Sequence, residues 1–497
     1  MQVPYLLLQV VVVPMIAAVL CGVLGWKKKV GRNLSWIAFG SLAYTSLLLI
    51  NAGWELWNGK SQLLEVYPWS TVAINLRFGF LADGLSLPVA LIMNIICTAS
   101  ALYSLKYIEH RVEVLYGKEN RQMYTIYYFL YLLFATGLMG IALSTNLIEL
   151  FAFVELVLIP SYFLIDVLGY VDRHRIAMMY FIWNQAGAAL FLIGIVLAYT
   201  GDGGSFDVSA LHTISGTSLG FWVCLLILVG WLVKMATFGF HVWLPYAHAE
   251  HPTSIAAVIA TIVGLGNYVI ARLLFLQMYN TFLTFSLPLM VLALVTIIYG
   301  AFLTMAQDDV KRLYASSTIS QTSYSLLGIA SMTSLGVEGG IFYFLSHILG
   351  KCILFSIAGI LVTQTGRRSI KEMGGLARKM PITATLCIFG SMILSAMPPL
   401  SGFQGEWILF GGLIQKGIQS SPITLAVAIL GIFATFLTVV YTFWPFIRIF
   451  FGELSPSLEN VKEAPLSMTV PLIVLAGVSL VIGIYPNLIT HLLNSVL

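Results

Sequence analysis

The chain runs to 497 residues, 59% of them hydrophobic and only 9% charged, with a formal net charge of +4 and a mean hydropathy of +0.93. A soluble domain carries about 25% charged residues, so this chain cannot cover itself with solvent-facing charge. The small positive balance belongs to loops, not to a nucleic-acid surface.

Apolar runs of about 20 residues are long enough to cross a hydrocarbon core as helices. In chain order fourteen spans are expected: 4–25, 32–52, 79–104, 124–144, 147–169, 176–200, 219–243, 252–276, 283–306, 313–334, 338–363, 381–416, 422–450 and 467–490. The first is too long for a signal-peptide core and lacks a charged segment ahead of it, so it reads as a retained span.

Short inner loops collect Lys and Arg. With the N-terminus outside, nineteen of the 25 basic residues fall in inner loops, among them Lys27, Lys28, Lys29, Arg111, Lys118, Lys311, Arg312 and Arg368. The outer loops keep Lys60, Arg77, Arg272 and Lys416. Both termini are therefore expected to face away from the cytoplasm. The expected bilayer is a prokaryotic plasma membrane, with a thylakoid or organellar inner membrane as the alternative.

The five cysteines, Cys21, Cys97, Cys224, Cys352 and Cys387, stand far apart in apolar segments. With no CxxC pair and no closely spaced His set, neither a metal site nor an iron–sulfur cluster is expected. No glycine-rich nucleotide loop or haem signature occurs either. No cofactor is expected in this chain, and redox chemistry would belong elsewhere.

Four ionisable residues lie inside otherwise apolar stretches: Glu155, Lys234, Lys351 and Glu406. A charge at bilayer depth costs at least ~2.5 to 3.5 kcal/mol, so such residues mark ion or proton paths by default. Two spans look interrupted beside them. Gly239 and Pro245 follow Lys234, and Pro398, Pro399, Gly402 and Gly405 precede Glu406. Broken helices are tolerated at that depth only where protein or a watery cavity satisfies the freed backbone. The seventh and twelfth spans are five apart, so spans 4–8 and 9–13 would have opposite orientation, the plan of inverted repeats. This divides the chain into an N-terminal segment (1–123), two five-helix units (124–280 and 281–451) and a C-terminal loop and helix (452–497).

The stretch Val233–Ser254, VKMATFGFHVWLPYAHAEHPTS, resembles the VKxP…LHxWLPDAHxxAPT motif of antiporter-like membrane subunits of respiratory complex I and of multi-subunit cation/proton antiporters. Six further segments recur in the same order: Leu81–Ser86, Phe153–Ile165, Ala306–Gln321, Phe344–Gly359, Glu372–Pro381 and Pro398–Trp407. Gly405-Glu406 resembles the M-type, or chain 4, subunit of NADH-quinone oxidoreductase. Two positions depart from the bacterial M pattern. Gly264 stands where a lysine is usual and Gln321 where a histidine is frequent, while Lys351 four residues after His347 is closer to the L- and N-type relatives.

The resemblance implies an all-α polytopic protein of about fourteen spans that moves protons in the membrane arm of a complex I-like assembly. Neighbouring antiporter-like subunits would flank it, and flavin, iron–sulfur clusters and quinone would sit in partner subunits. It also implies roles. Glu155 would modulate Lys234, the mid-membrane carrier; His347 and Lys351, one helical turn apart, would relay; Glu406 would serve the exit side or couple to a neighbour. A lysine about 4 Å from a carboxylate interacts by ~4 kcal/mol at an effective dielectric of ~20, comparable to ~2.3 kcal/mol per 100 mV for a charge crossing the membrane field.

Simpler readings stand beside these. Glu155 and Lys234 could be a structural pair, His347 could bond a carbonyl, and Glu406 could anchor the helix break through backbone amides. His241, His248 and His251 could line an aqueous vestibule, and Asp83, Asp166, Asp308 and Asp309 could cap helices. His241, His248 and Asp309 are kept as accessory proton sites. The rival functions are a cation/proton antiporter subunit, a membrane-bound hydrogenase arm and a non-conducting scaffold.

Overall fold

The computed structural model describes residues 3–26, 31–70, 76–117, 120–201 and 203–497. Lys27, Lys28, Lys29 and Lys118 lie outside the described residues. The fold begins with α1 (Leu6–Trp26) and α2 (Leu34–Trp57), then a hairpin of β1 (Gln62–Ser70) and β2 (Leu76–Asp83), then α3 (Ser86–Tyr116), α4 (Gln122–Leu143), α5 (Leu147–Leu168) and α6 (Arg173–Gly201). α7 (Ser218–Lys234), α8 (Leu244–Glu250), α9 (Thr253–Ile270), α10 (Tyr279–Phe282) and α11 (Ser286–Met305) follow. The remainder is α12 (Val310–Ala330), α13 (Ser334–Thr365), α14 (Pro381–Leu394), α15 (Ser401–Ser420), α16 (Pro422–Phe450), α17 (Leu466–Ile484) and α18 (Asn487–Asn494).

Among the described residues, eleven helical stretches are long and apolar enough to cross a membrane. The more polar α12 and the two interrupted pairs α7/α8 and α14/α15 stand at the other three expected positions. Many large apolar side chains, such as Leu47, Ile182, Phe433 and Phe436, face outward. That arrangement suits a helix bundle whose solvent is lipid.

The hairpin corrects the expectation of helix alone. The third span begins at Ser86 and not at 79, because Leu81–Asp83 complete an antiparallel strand in which Gln62 pairs with Asp83. The hairpin ties several helix starts together. Glu65 accepts the free first-turn amides of Leu7 and Leu8 at 3.0 and 2.9 Å, satisfying donors that a helix leaves unpaired. Glu149, in the first turn of α5, accepts from the Gly79 amide at 3.1 Å. Asp83 takes the amides of Leu85 and Ser86 at 3.0 and 2.9 Å and receives both arms of the Arg272 guanidinium at 2.7 and 2.6 Å. Arg272, expected in an outer loop, is instead buried in a single π-helical turn, Ala271–Phe275, that continues α9.

Both interruptions have the same local structure. After α7, Met235 N bonds Trp231 O, Ala236 N bonds Val233 O and Thr237 N bonds Leu232 O. After α14, Ser395 N bonds Ser391 O, Ala396 N bonds Ile393 O and Met397 N bonds Met392 O. The central residue is a left-handed alanine each time, with φ of 53° at Ala236 and 50° at Ala396. Such a residue ends a helix while satisfying its last carbonyls.

Candidate functional site

Lys234 is the last residue of α7 and is 5% exposed. Its ending is locked from the far side: Thr237 Oγ1 donates to Leu232 O at 3.1 Å and Trp243 Nε1 to Val233 O at 3.2 Å. Glu155, half-buried on α5, has Oε1 enclosed and without a hydrogen-bond partner. The two charges lie within electrostatic reach of one another. No N···O contact of 4.0 Å or less joins them, however, so the expected 4 Å pair is open in this structure.

The second set lies on α13. Lys351 is 0% exposed and its Nζ donates to Tyr314 O at 2.7 Å and, closely, to Ser317 Oγ, both on α12. His347, one turn earlier, is buried with Nε2 unpartnered, so it does not bond a carbonyl through that atom. The departure at position 264 has a steric reason. A Cβ on Gly264 would stand 2.5 Å from the Phe344 ring, so α13 occupies the room a longer α9 side chain would need. Lys351 lies two turns along α13 from Phe344, on the same face.

His248, an accessory candidate, is central. It is 0% exposed on α8, both ring nitrogens lack hydrogen bonds, and it lies within electrostatic reach of His251, Lys351, His347 and Lys311. His251 bonds Ser161 Oγ at 3.0 Å and Ala247 O at 2.6 Å. His241 bonds the Tyr299 hydroxyl at 3.0 Å, near the end of the break. Asp309 accepts the amides of Lys311 and Arg312 at 2.8 and 3.1 Å, the geometry of an N-cap.

Lys311 was missed. Expected in an inner loop, it is 0% exposed, donates to His251 O at 2.7 Å and stands 3.8 Å from the centre of the Tyr170 ring. Arg111 and Arg368 approach the same ring at 3.9 and 5.2 Å. Arg368 Nε lies 2.7 Å from Asp309 Oδ2 and its Nη1 3.5 Å from Glu250. The signal was available in Asp308-Asp309-Val310-Lys311-Arg312, a charged run continuous with a helix, but it reads as solvated loop.

Glu406 lies in the second turn of α15, on a cleft of about 400 Å³ that opens beside Phe403, Trp407 and Ile432. The amides of the preceding break bond carbonyls of their own segment, so Glu406 does not anchor it. The structure thus brings Lys351, His347 and Lys311 within electrostatic reach of His248, sets Glu155 and Lys234 in reach but apart, and places Glu406 within reach of Tyr324 and Tyr343. Among the described residues no group of three or more His, Cys, Asp or Glu is placed to hold a metal ion.

Residues 144–438 match the family model described as NADH:quinone oxidoreductase/Mrp antiporter, TM. NAD(P)H-quinone oxidoreductase chain 4-2 of Synechocystis sp. is 30% identical over 465 residues, 92% of this chain and 80% of that protein. Chloroplastic NAD(P)H-quinone oxidoreductase chain 4 of Chlorokybus atmophyticus is 30% identical over 508 residues, 100% of this chain and 95% of that protein. Among solved structures, the Mrp complex from Dietzia sp. has a chain with TM-score 0.86 at 21% identity, covering 99% of this chain and 96% of that one. A chain of respiratory complex I from Thermus thermophilus gives 0.84 at 22% identity, with 99% of each covered. These two likenesses establish the fold. The membrane-bound sulfane sulfur reductase, an archaeal respiratory complex, gives 0.85 at 25% identity, covering 97% of this chain and 77% of that one.

Proposed function

Since the chain belongs to the NADH:quinone oxidoreductase/Mrp antiporter transmembrane family, we propose that it is the M-type proton-translocating subunit of an NADH-quinone oxidoreductase-type complex. It would sit in the membrane arm beside other antiporter-like subunits. Electron transfer, with its flavin, iron–sulfur clusters and quinone, would belong to the partners. The observation that carries the reading is Lys234, buried at a helix break with Glu155 near but not touching. Coulomb energy falls inversely with distance, so closing such a pair from about 8 to 4 Å adds ~2 kcal/mol at an effective dielectric of ~20. That is close to the ~2.3 kcal/mol that 100 mV exacts from a unit charge. Closing and opening the pair would therefore load and unload the lysine.

In this reading Glu155 tunes Lys234, His248, His347 and Lys351 pass the proton onward, and Glu406 hands it to the exit side or the next subunit. His241 is an accessory group at the break, and Asp309 serves chiefly as a cap. The matching left-handed alanines at the two breaks support units 124–280 and 281–451 as inverted repeats, flanked by 1–123 and 452–497. The grouping of Arg111, Arg173 and Arg368 at the end away from the hairpin supports that end as cytoplasmic. Both termini then face the other side of a prokaryotic plasma membrane or thylakoid.

The parent complex is tested by purifying it through a tag on this chain. Quinone reduction accompanied by proton uptake into vesicles is the expected result. Cation exchange without any redox activity would transfer the chain to the antiporter class.

A further inference from the structure

α12 is a polar helix inside an apolar bundle. Residues Ser316–Ser325 read SSTISQTSYS, and every residue from Leu313 to Ala330 is buried. Buried helical hydroxyls usually bond back to their own carbonyls, and four here do: Ser317 and Thr318 to Tyr314 O, Thr322 to Thr318 O, and Ser323 to Ile319 O, at 2.8 to 3.2 Å. Ser316 Oγ, Ser320 Oγ and the Tyr324 hydroxyl are enclosed with no hydrogen-bond partner. Native interiors leave few polar atoms so, and those few call for an explanation.

Ser317, Ser320 and Tyr324 stand at i, i+3 and i+7 and share one face of the helix. At one end Ser317 receives a hydrogen bond from Lys351. At the other, Tyr324 and Tyr441 lie within electrostatic reach of Glu406. Between them Gln321 is pinned: Tyr343 donates to its Oε1 at 2.7 Å, and its Nε2 donates to the Tyr441 hydroxyl at 2.7 Å and to Thr438 Oγ1 at 3.3 Å. Ser320 approaches Tyr441, and Tyr324 approaches Thr438, without either completing a bond. An amide so fixed holds the phenols in place but does not itself give up and regain protons.

We infer that protons pass from Lys351 to Glu406 along the Ser317–Ser320–Tyr324 face of α12, with Gln321 as a positioning residue, an inference that rests on the pump reading above. The distance along the helix from Ser317 to Tyr324 is about 10 Å. The Lys351 ammonium gives a proton to Ser317, whose own proton moves on. Ser320, Tyr324 and water bridging between them repeat the exchange, and the Glu406 carboxylate takes the last proton. Lys351 ends as a neutral amine and Glu406 as a carboxylic acid, with the hydroxyls changed only in orientation.

The test is proton pumping by the reconstituted complex carrying Ser320→Ala, Tyr324→Phe, Thr322→Val or Lys234→Ala, with assembly and electron transfer measured alongside. Removing an unpartnered hydroxyl costs folding little, so Tyr324→Phe and Ser320→Ala should assemble like the parent while pumping falls about tenfold or more. Thr322→Val, on the other side of α12 from the Ser317–Ser320–Tyr324 face, should pump normally. If Lys234→Ala abolishes pumping but Ser320→Ala and Tyr324→Phe do not, the α12 route is overturned and the pump reading stands. If Lys234→Ala pumps normally, both fall. A loss with Thr322→Val equal to that with Tyr324→Phe would also overturn the route, since any change in α12 would then suffice.

Discussion

Ala236 and Ala396, 160 positions apart, occupy the same place in two interrupted helices: each is a left-handed alanine closing an identical set of three backbone hydrogen bonds. An L residue with a Cβ is disfavoured there by roughly 1–2 kcal/mol, and glycine is not. Ala396→Gly should therefore raise the thermal stability of the assembled complex by about 1 kcal/mol, and Ala396→Val, β-branched, should lower it by at least that much. A thermal melt of the two variants against the parent checks the order. Equal melts would mean that the left-handed turn is not the native one.

At Gly264 the outcome depends on Phe344. The 2.5 Å approach of an added Cβ to the ring forces a shift, so Gly264→Ala should cost about 1–3 kcal/mol. Gly264→Ala combined with Phe344→Leu should recover much of it, because the smaller side chain yields the space. The yield of assembled complex and its melting temperature read both effects. Full stability of the single variant would show that α9 and α13 are not packed as described.

The Asp83–Arg272 fork pins the hairpin to the end of α9. Burial pushes the Asp83 carboxyl up, but the Arg272 charge and hydrogen bonds, with the Ser86 and Leu85 amides, outweigh it and hold the group below its ordinary range. A carboxyl depressed in the folded state contributes stability that is fully present above its unfolded value, about 3.9, and is lost as the pH falls through the folded value. Asp83→Asn should remove this acid-sensitive part and, by leaving a buried guanidinium short of its partner, cost about 3–5 kcal/mol near neutrality. Asp83→Leu with Arg272→Met should recover part of the loss. Melting curves from pH 7 downward distinguish the three proteins.

The helices were legible because apolar length is a strong local signal, and Lys234, Lys351 and Glu406 were legible because a lone charge in such a run stands out. The hairpin was not, since Phe78, Phe80 and Leu81 are as apolar as the helix that follows and only the short Asp83–Ser86 turn parts them from α3. Lys311 and Arg272 were misread for the opposite reason. Each lies near a span end, where a charge looks solvated, and only the fold reveals Tyr170 above one and Asp83, 189 residues away, beside the other. The separation of Glu155 from Lys234 could not be read at all, because helix periodicity fixes faces and not interhelical distances. His248 lay in a quoted motif, yet its place among Lys351, His347 and Lys311 depends on how α8, α12 and α13 pack.

The central claim is that Lys234 carries protons. It is tested most directly by the number of protons taken up per electron pair in proteoliposomes containing the purified complex with Lys234→Ala. The account predicts normal assembly, continuing electron transfer and a lower proton yield than the parent gives. An unchanged yield with the complex intact would contradict it.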